Sequence, residues 1–157
     1  MDTRRVVITG LGLVTPLGTG REAFWASLRE RRSRVTGITR FDPAPFKSRI
    51  AAEVSDFHPA DHIEQKRLRR LDRFSQFAVA ASRLGLADAG IALASEDTER
   101  IGAMMGTALG GVARAEEEHG NFMRGGLRAV DSSLALAVFG GAASCNVAIE
   151  LGVSGPN

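Results

Sequence analysis

The stretch Arg5-Val6-Val7-Ile8-Thr9-Gly10-Leu11-Gly12 decides the fold. Its apolar residues fall on both sides of an extended chain, which is typical of a central parallel strand covered by helices. A second stretch of this kind, RIGAMMGT, occupies residues 100–107. A sheet whose strands are apolar on both faces needs a helical layer on each side. The sequence therefore predicts an α/β fold.

Helical patterns surround these two stretches. Thr19 and Glu22 have the spacing of a capping box, which predicts the start of a short helix. Apolar residues recur every three or four positions over 66–89, and Gly90 suits the end of that helix. The other predicted elements are a strand over 49–54, a helix over 112–123, and a helix from an N-cap at 131–133 to about 152. Three short strands are few for a layered sheet, so we expect an incomplete domain.

Composition excludes several classes of protein. The 157 residues are 44% apolar and carry a net charge of +2, which predicts a folded chain without a nucleic-acid partner. The single cysteine, Cys145, allows no intrachain disulfide and favours the reducing cytoplasm, and no secretion signal is recognisable at the start. Residues 134–153 approach the length of a membrane span, but Ser144 and Glu150 interrupt them. We favour a buried helix over a membrane helix.

The glycine-rich turns do not form a nucleotide site. Gly10 and Gly12 begin the pattern G-x-G-x-x-G, but Thr15 stands where the third glycine belongs. The turn at 106–111 lacks the Lys-Ser/Thr pair of a phosphate-binding loop. A small nucleotide-binding protein is thus a disfavoured alternative. These glycines instead indicate tight turns and close backbone approach.

The residues that could carry chemistry lack partners in the sequence. His58 and His62 have a spacing that suits a metal, but Pro59 spoils a shared helix face and no third ligand follows a known pattern. His119 lies in a charged helix, and Cys145 falls in the middle of an apolar one rather than at a helix N-terminus. We predict no metal, no cofactor and no catalytic residue within this chain.

Several motifs together resemble a known family. Residues 4–18, RRVVITGLGLVTPLG, are similar to the opening of β-ketoacyl-[acyl carrier protein] synthases of the elongating II type. The resemblance continues through RFD at 40–42, RRLDRFSQF at 69–77 and RIGAMMGTALGG at 100–111, and through the glycine pair at 125–126. It covers essentially the whole chain, in the family's order and spacing.

The resemblance implies a fold and an activity. The fold is α/β and thiolase-like: the N-terminal part of an αβαβα layered subunit that forms a homodimer, here incomplete. The implied activity is an acyltransferase reaction, in which an acyl group on an active-site cysteine condenses with malonyl-ACP and carbon dioxide is lost. In the family, that cysteine follows a Gly-Pro turn, which corresponds to Gly155-Pro156, so residues 1–157 are expected to stop before the nucleophile. Neither Cys145 nor any of the three histidines matches a catalytic position, and the chain alone is expected to be inactive.

Five residues match functional positions of the family. Lys66, Arg69 and Arg70 correspond to a basic patch that receives acidic acyl carrier protein, and their spacing places them on one helical face. Leu109 corresponds to a residue that lines the acyl pocket, and Leu134 to one that reaches the partner subunit's pocket. Without the resemblance, the basic residues would be a solvated helix end and both leucines core residues.

Three other functions remain open at this stage. The chain could belong to a non-catalytic, chain-length-factor-like partner subunit, to a thiolase-like enzyme that condenses acyl-CoA esters, or to a polyketide synthase domain. The resemblance alone does not separate fatty-acid from polyketide synthesis. None of these alternatives requires a membrane or a nucleic acid.

Overall fold

The structure is a computed structural model that describes residues 5–157. Helices dominate it, and the two sheets are small antiparallel pairs, β1 with β2 and β3 with β4. The strands are β1 (Val14–Thr15), β2 (Gly18–Thr19), β3 (Val35–Gly37) and β4 (Ile50–Ala52). The helices are α1 (Arg21–Arg29), α2 (Gln65–Leu68), α3 (Arg73–Ala89), α4 (Val112–Gly125), α5 (Leu134–Val138) and α6 (Ala142–Leu151). The predicted short strand over 49–54 and the helix over 112–123 are thus confirmed as β4 and α4.

The core lies between α3 and α6, the most extensively packed pair of helices. Ala78 and Val79 of α3 meet Ala143 and Val147 of α6, and all four are buried. Small side chains let the two helix axes approach closely, so the pair forms a dense centre from few atoms. Ile63 and Leu71, which flank α2, are buried in the same cluster.

The strand predicted over residues 5–12 does not form. A strand needs a hydrogen-bonded neighbour, and none pairs with this segment in the described part of the chain. Val6 and Ile8 are 95% and 85% exposed. The segment nevertheless crosses α3 at close range, where the Leu11 N–H donates to Asp88 Oδ2 at 2.9 Å. The prediction of a sheet strand in the N-terminal apolar run was therefore wrong: residues 5–12 have no regular secondary structure.

The second predicted strand, 100–107, also forms no ladder: Arg100 ends a 3-10 turn that begins at Thr98, Ile101 is extended, and residues 101–107 have no regular secondary structure. Two backbone bonds join it to the last residues: Ala103 N to Pro156 O at 3.1 Å and Gly155 N to Ile101 O at 3.0 Å. Ala103 is buried while the neighbouring Met104 is 88% exposed, which is the alternation of a strand. The pattern was right for the local conformation, but a sheet also requires neighbouring strands.

The long helix predicted over 66–89 is two helices. The chain leaves α2 after Leu68 and begins α3 at Arg73, where Asp72 is the N-cap and its side chain accepts from Phe74 N. A capping aspartate satisfies a free first-turn amide and so starts a new helix inside a continuous apolar pattern. The predicted stop is confirmed, because Gly90 adopts the left-handed conformation with φ 67°.

The helix predicted from 131–133 to 152 is likewise divided, into α5 and α6. Phe139 is extended with ψ 150°, and α6 begins only at Ala142. The capping box predicted at Thr19 and Glu22 was wrong, because Gly20 is the N-cap of α1 and no side chain caps that helix. The N-cap predicted within 131–133 is confirmed as Ser133, which begins α5 without a side-chain cap. In the described residues, 5–157, no helix is both long and apolar enough to cross a bilayer.

Candidate functional site

The three predicted docking residues lie on and just after α2. Lys66 is in the helix, while Arg69 and Arg70 lie in the turn that leads to α3, and all three are exposed. Lys66 Nζ is 2.9 Å from Glu64 Oε1, and Lys66 and Arg69 line a shallow surface groove. The structure thus places the three cations on one short exposed segment, which we call the basic segment (Lys66, Arg69, Arg70).

An ion pair anchors the basic segment on the side that faces α6. Arg67, between the exposed cations, turns inward, and its Nε lies 2.6 Å from Glu150 Oε1 of α6. The Glu150 side chain is only 6% exposed, and Arg83 Nη2 approaches its other oxygen at 3.4 Å. Neither Arg67 nor Arg83 was selected from the sequence. The available indication was Glu150 itself, since a carboxylate in an apolar helix needs a cationic partner.

The turn between α2 and α3 has its own supports. Gln76 Nε2 donates to Leu71 O at 3.0 Å and to Leu68 O at 3.4 Å, so one side chain satisfies two carbonyls at the end of α2. The cap from Asp72 fixes the first turn of α3. These bonds define the path of the backbone that carries Arg69 and Arg70.

Arg73 is basic but does not belong to the exposed patch. Its guanidinium lies 4.8 Å from the centre of the Phe77 ring and donates to Val54 O at 2.6 Å. Burial, with a smaller effect from the nearby charge of Arg40, lowers its pKa. Arg73 thus connects α3 to the loop after β4.

Leu109 and Leu134 differ in exposure and in the element that carries them. Leu109 is 73% exposed in the glycine turn, and Leu134 is half-buried as the first residue of α5. The turn is fixed where Gly111 N donates to Val138 O at 3.2 Å. A Cβ on Gly111 would lie 2.7 Å from Ala137 O, so the turn packs directly on the end of α5.

Asp131 holds the start of α5. Its Oδ1 accepts from Ser133 N and Ser133 Oγ, both at 2.8 Å, and its Oδ2 bonds Arg114 of α4. The hydrogen bonds from Ser133, and to a lesser extent Arg114, lower the pKa of this carboxyl. The buried Glu118 accepts from Asp131 N at 2.8 Å. This junction sets the position of Leu134.

An apolar cavity of about 330 Å³ lies between residues 12–15 near the N-terminus, helix α3 and residues 105–107. Neither Leu109 nor Leu134 lines it. Its walls are formed by Gly12, Leu13, Val14, Thr15, Phe74, Phe77, Ala78, Ala81, Met105, Gly106, Thr107 and Ala143.

The cysteine and the histidines lie in separate settings. Cys145 is half-buried, but the prediction that it lies in mid-helix was wrong: because the predicted helix is divided, Cys145 is in the first turn of α6, four residues after the N-cap Gly141. His58 and His62 flank a single 3-10 turn, where His62 stacks on Phe57 with ring centroids 6.0 Å apart. His119 is exposed on α4. Residues 5–157 contain no group of three or more His, Cys, Asp or Glu side chains suited to a metal ion.

Almost the whole chain matches known proteins. Residues 3–157 match the family described as beta-ketoacyl synthase, N-terminal domain. A 3-oxoacyl-[acyl-carrier-protein] synthase 2 from Coxiella burnetii is 37% identical over 157 residues, which are 100% of this chain and 38% of that protein. The chain therefore spans a little over a third of the length of the curated relatives it matches.

Solved structures agree with the sequence match. An ishigamide ketosynthase/chain length factor superposes with a TM-score of 0.88 at 34% identity, over 98% of this chain and 38% of that one. A type II polyketide synthase ketosynthase, solved in complex with its acyl carrier protein and bound to a hexaketide, superposes with a TM-score of 0.79 over 97% of this chain and 40% of that one. At 24% identity, the second likeness concerns the fold alone.

These findings confirm the resemblance noted in the sequence and the thiolase-like fold class that it implied. The mixed helical and irregular structure of residues 5–157 superposes on part of the ishigamide ketosynthase/chain length factor. The chain belongs to the beta-ketoacyl synthase family, whose N-terminal domain it matches over residues 3–157.

Proposed function

We propose that this chain is the front part of an enzyme that elongates fatty-acid or polyketide chains by decarboxylative condensation. The match of residues 3–157 to the beta-ketoacyl synthase N-terminal domain carries the proposal. The curated relatives, 3-oxoacyl-[acyl-carrier-protein] synthases, support acyl carrier protein as the partner. On this proposal the complete protein is a homodimer.

The reaction follows from thioester chemistry. An acyl group is first transferred to an enzyme thiol; malonyl-ACP then loses carbon dioxide, and the resulting carbanion attacks the acyl carbonyl carbon. One carbon–carbon bond forms, the carbon–sulfur bond to the enzyme breaks, and the thiolate leaves with the electron pair. We propose that residues 1–157 supply docking and pocket surface and that the reacting cysteine and histidines lie elsewhere in the complete protein.

The basic segment is the proposed docking site. Lys66, Arg69 and Arg70 are exposed within a few residues of one another, while the intervening Arg67 is engaged with Glu150. A cluster of exposed cations attracts an acidic partner and raises its association rate, more at low ionic strength. Leu109, in the exposed glycine turn, is proposed to line the acyl pocket, and Leu134 to reach the pocket of the partner subunit.

Reversing the three charges of the basic segment tests the docking site. The complete protein with Lys66→Glu, Arg69→Glu and Arg70→Glu is expected to show at least about a threefold higher KM for acyl-ACP at low salt, since exposed charge contacts are each worth about 0.2–1 kcal/mol. Steady-state kinetics at two salt concentrations measure this effect, which decreases as salt rises.

A matched triple variant separates local docking from net charge. Arg29, Arg32 and Arg34 are exposed at the end of α1 and beyond it, and changing them to Glu alters the net charge equally. This control is expected to leave KM within about twofold. Equal effects in the two triple variants, or no effect in either, would show that the basic segment is not the docking site.

The isolated 157-residue chain is expected not to condense acyl-ACP with malonyl-ACP. Cys145 is its only thiol; it lies in the first turn of α6, but within residues 5–157 the structure gives it no histidine ring as a hydrogen-bond partner. Product formation by the purified chain, measured with labelled malonyl-ACP, tests this. Turnover that Cys145→Ala abolishes would identify Cys145 as the nucleophile and contradict the proposal.

A chain-length-factor-like subunit is the second candidate. The observation that favours it is the likeness to the ishigamide ketosynthase/chain length factor. Incubation of the complete protein with labelled acyl-ACP distinguishes the two. A synthase acquires a covalent acyl label, whereas a chain-length-factor-like subunit stays unlabelled and supports elongation only with a synthase partner.

A further inference from the structure

The ion pair between Arg67 and Glu150 joins the basic segment to the core. Glu150 lies on α6, whose inner face packs on α3 at the centre of the molecule. Through Arg67 its carboxylate reaches α2, and through Arg83 it reaches α3. Arg83 Nη2 also donates to the Glu150 carbonyl at 3.3 Å. One carboxylate therefore ties together the three helices that surround the basic segment.

α2 needs such a tie. It has only four residues, and a single helical turn is not stable by itself in water. It has no side-chain N-cap, and its end continues directly into the turn that holds Arg69 and Arg70. Arg67 occupies the inward side of α2, so its anchorage, together with the Gln76 hydrogen bonds and the Asp72 cap, sets which way Lys66, Arg69 and Arg70 point.

We infer that Glu150 and Arg67 are positioning residues for carrier-protein docking: their buried ion pair orients the basic segment toward the partner. This inference rests on the proposed docking function. Docking an extended partner surface requires the cations to hold a fixed arrangement, because ordering a loose segment on binding costs affinity.

A purely electrostatic effect and a positioning effect predict opposite changes in KM for the variant Glu150→Gln. Glu150→Gln removes a negative charge near the basic segment, so electrostatics alone predicts stronger attraction for an acidic partner and a lower KM. If the ion pair orients α2, the same change releases Arg67 and raises KM. The glutamine keeps the size of the side chain and one acceptor oxygen, which limits damage to packing, while its NH2 group replaces an acceptor with a donor and cannot pair with an arginine.

The experiment compares variants of the complete protein with acyl-ACP and with a small acyl thioester that lacks the carrier protein. Glu150→Gln and Arg67→Gln are each expected to raise KM for acyl-ACP on the order of threefold, with kcat and the kinetics of the small thioester unchanged. Arg67→Lys, which retains the charge, is expected to recover most of the loss. Glu64→Gln removes an equal charge next to Lys66 without touching the anchor, and it is expected to lower KM.

The results distinguish failure of the positioning role from failure of the docking proposal. If Glu150→Gln lowers KM as Glu64→Gln does, or if it impairs both substrates equally, the positioning role is refuted. If the triple reversal of the basic segment also has no effect, the docking proposal itself fails. Thermal melting of every variant identifies loss of folding. If Glu150→Gln does not fold, Glu150→Asp decides the question, because it keeps the charge and shortens the side chain, so only a positioning role predicts a higher KM for acyl-ACP.

Discussion

The lack of a Cβ atom at Gly10 and Gly12 lets the N-terminal segment lie directly on the backbone of α3. A Cβ added to Gly12 would stand 1.7 Å from Ala81 O and 2.6 Å from Gly85 N. The same crossing puts Gly10 against Gly85 and Ala89. The expectation that these glycines serve close backbone approach is thereby confirmed, and the failed dinucleotide motif acquires a structural explanation.

Gly12→Ala is therefore expected to be severely destabilising. The obstructing atoms are backbone, which cannot move aside as a flexible side chain does, so we expect a loss of more than about 3 kcal/mol of unfolding free energy. Denaturant unfolding followed by circular dichroism measures it.

Gly37→Ala is the matched control for that measurement. A Cβ at Gly37 meets nothing within 4 Å, and its φ is not in the left-handed region. It is expected to change stability by less than about 0.5 kcal/mol. Equal stability of the two variants would show that the segment does not cross α3 as described.

At the scale of elements, the sequence predicted local conformation better than it predicted boundaries and partners. The 3.6-residue periodicity over 66–89 and the stop at Gly90 were correct, because they depend on nearest neighbours along the helix. The division at Asp72 was missed, since an aspartate in such a pattern is equally compatible with a solvent-facing helix position. The sheet was predicted but is not formed, because pairing depends on strands that periodicity does not supply.

For the candidate site too, the sequence predicted local features better than long-range partners. The exposure of Lys66, Arg69 and Arg70 agrees with the surface that the resemblance implied, and their roles stay predictions. The Arg67–Glu150 pair was missed because its members are 83 positions apart, and nothing in a single sequence connects them. Long-range partners of this kind become visible only once helices are packed.

The junction between α4 and α5 is expected to give an acid-sensitive contribution to stability. Asp131 has a lowered pKa in the folded protein, so its contribution is complete above the ordinary carboxyl pKa and is lost as pH falls through the lower folded value. Asp131→Asn removes this dependence. We expect the difference in Tm between wild type and variant to be constant from pH 7 to about 5 and to shrink below about pH 4.

Ser133→Ala provides the comparison for this test. It removes the hydroxyl donor to Asp131 and keeps the backbone donor, so a smaller difference with the same pH profile is expected. A Tm difference that stays constant down to pH 3 would contradict the role of the Asp131 carboxylate.

For the molecule as a whole, exposed apolar surface is the dominant feature. Val6, Ile8, Met104 and Leu136 are 95%, 85%, 88% and 72% exposed. The inner face of α6 is buried on α3, as the sequence predicted for an apolar helix there, and residues 5–12 and 101–107 contribute much of the exposure. Surface of this kind marks contact with other protein.

The isolated 157-residue chain is therefore expected to bind a hydrophobic dye and to self-associate as its concentration rises. Size-exclusion chromatography with dye fluorescence measures both, and the double variant Val6→Lys, Ile8→Lys is expected to reduce both signals. A monomer that melts cooperatively without binding dye would show that these surfaces are covered in solution.

The hydrogen bond from Leu11 to Asp88 has a consequence for biosynthesis. Its two groups are 77 positions apart, and Asp88 also bonds Arg21, so the last turn of α3 holds the chain at both Leu11 and Arg21. Contacts between distant residues form late, because the intervening chain must first be ordered. On the ribosome, the N-terminal apolar run thus leaves the exit tunnel long before its anchor does. During that interval it is a natural ligand for chaperones that bind extended hydrophobic chain.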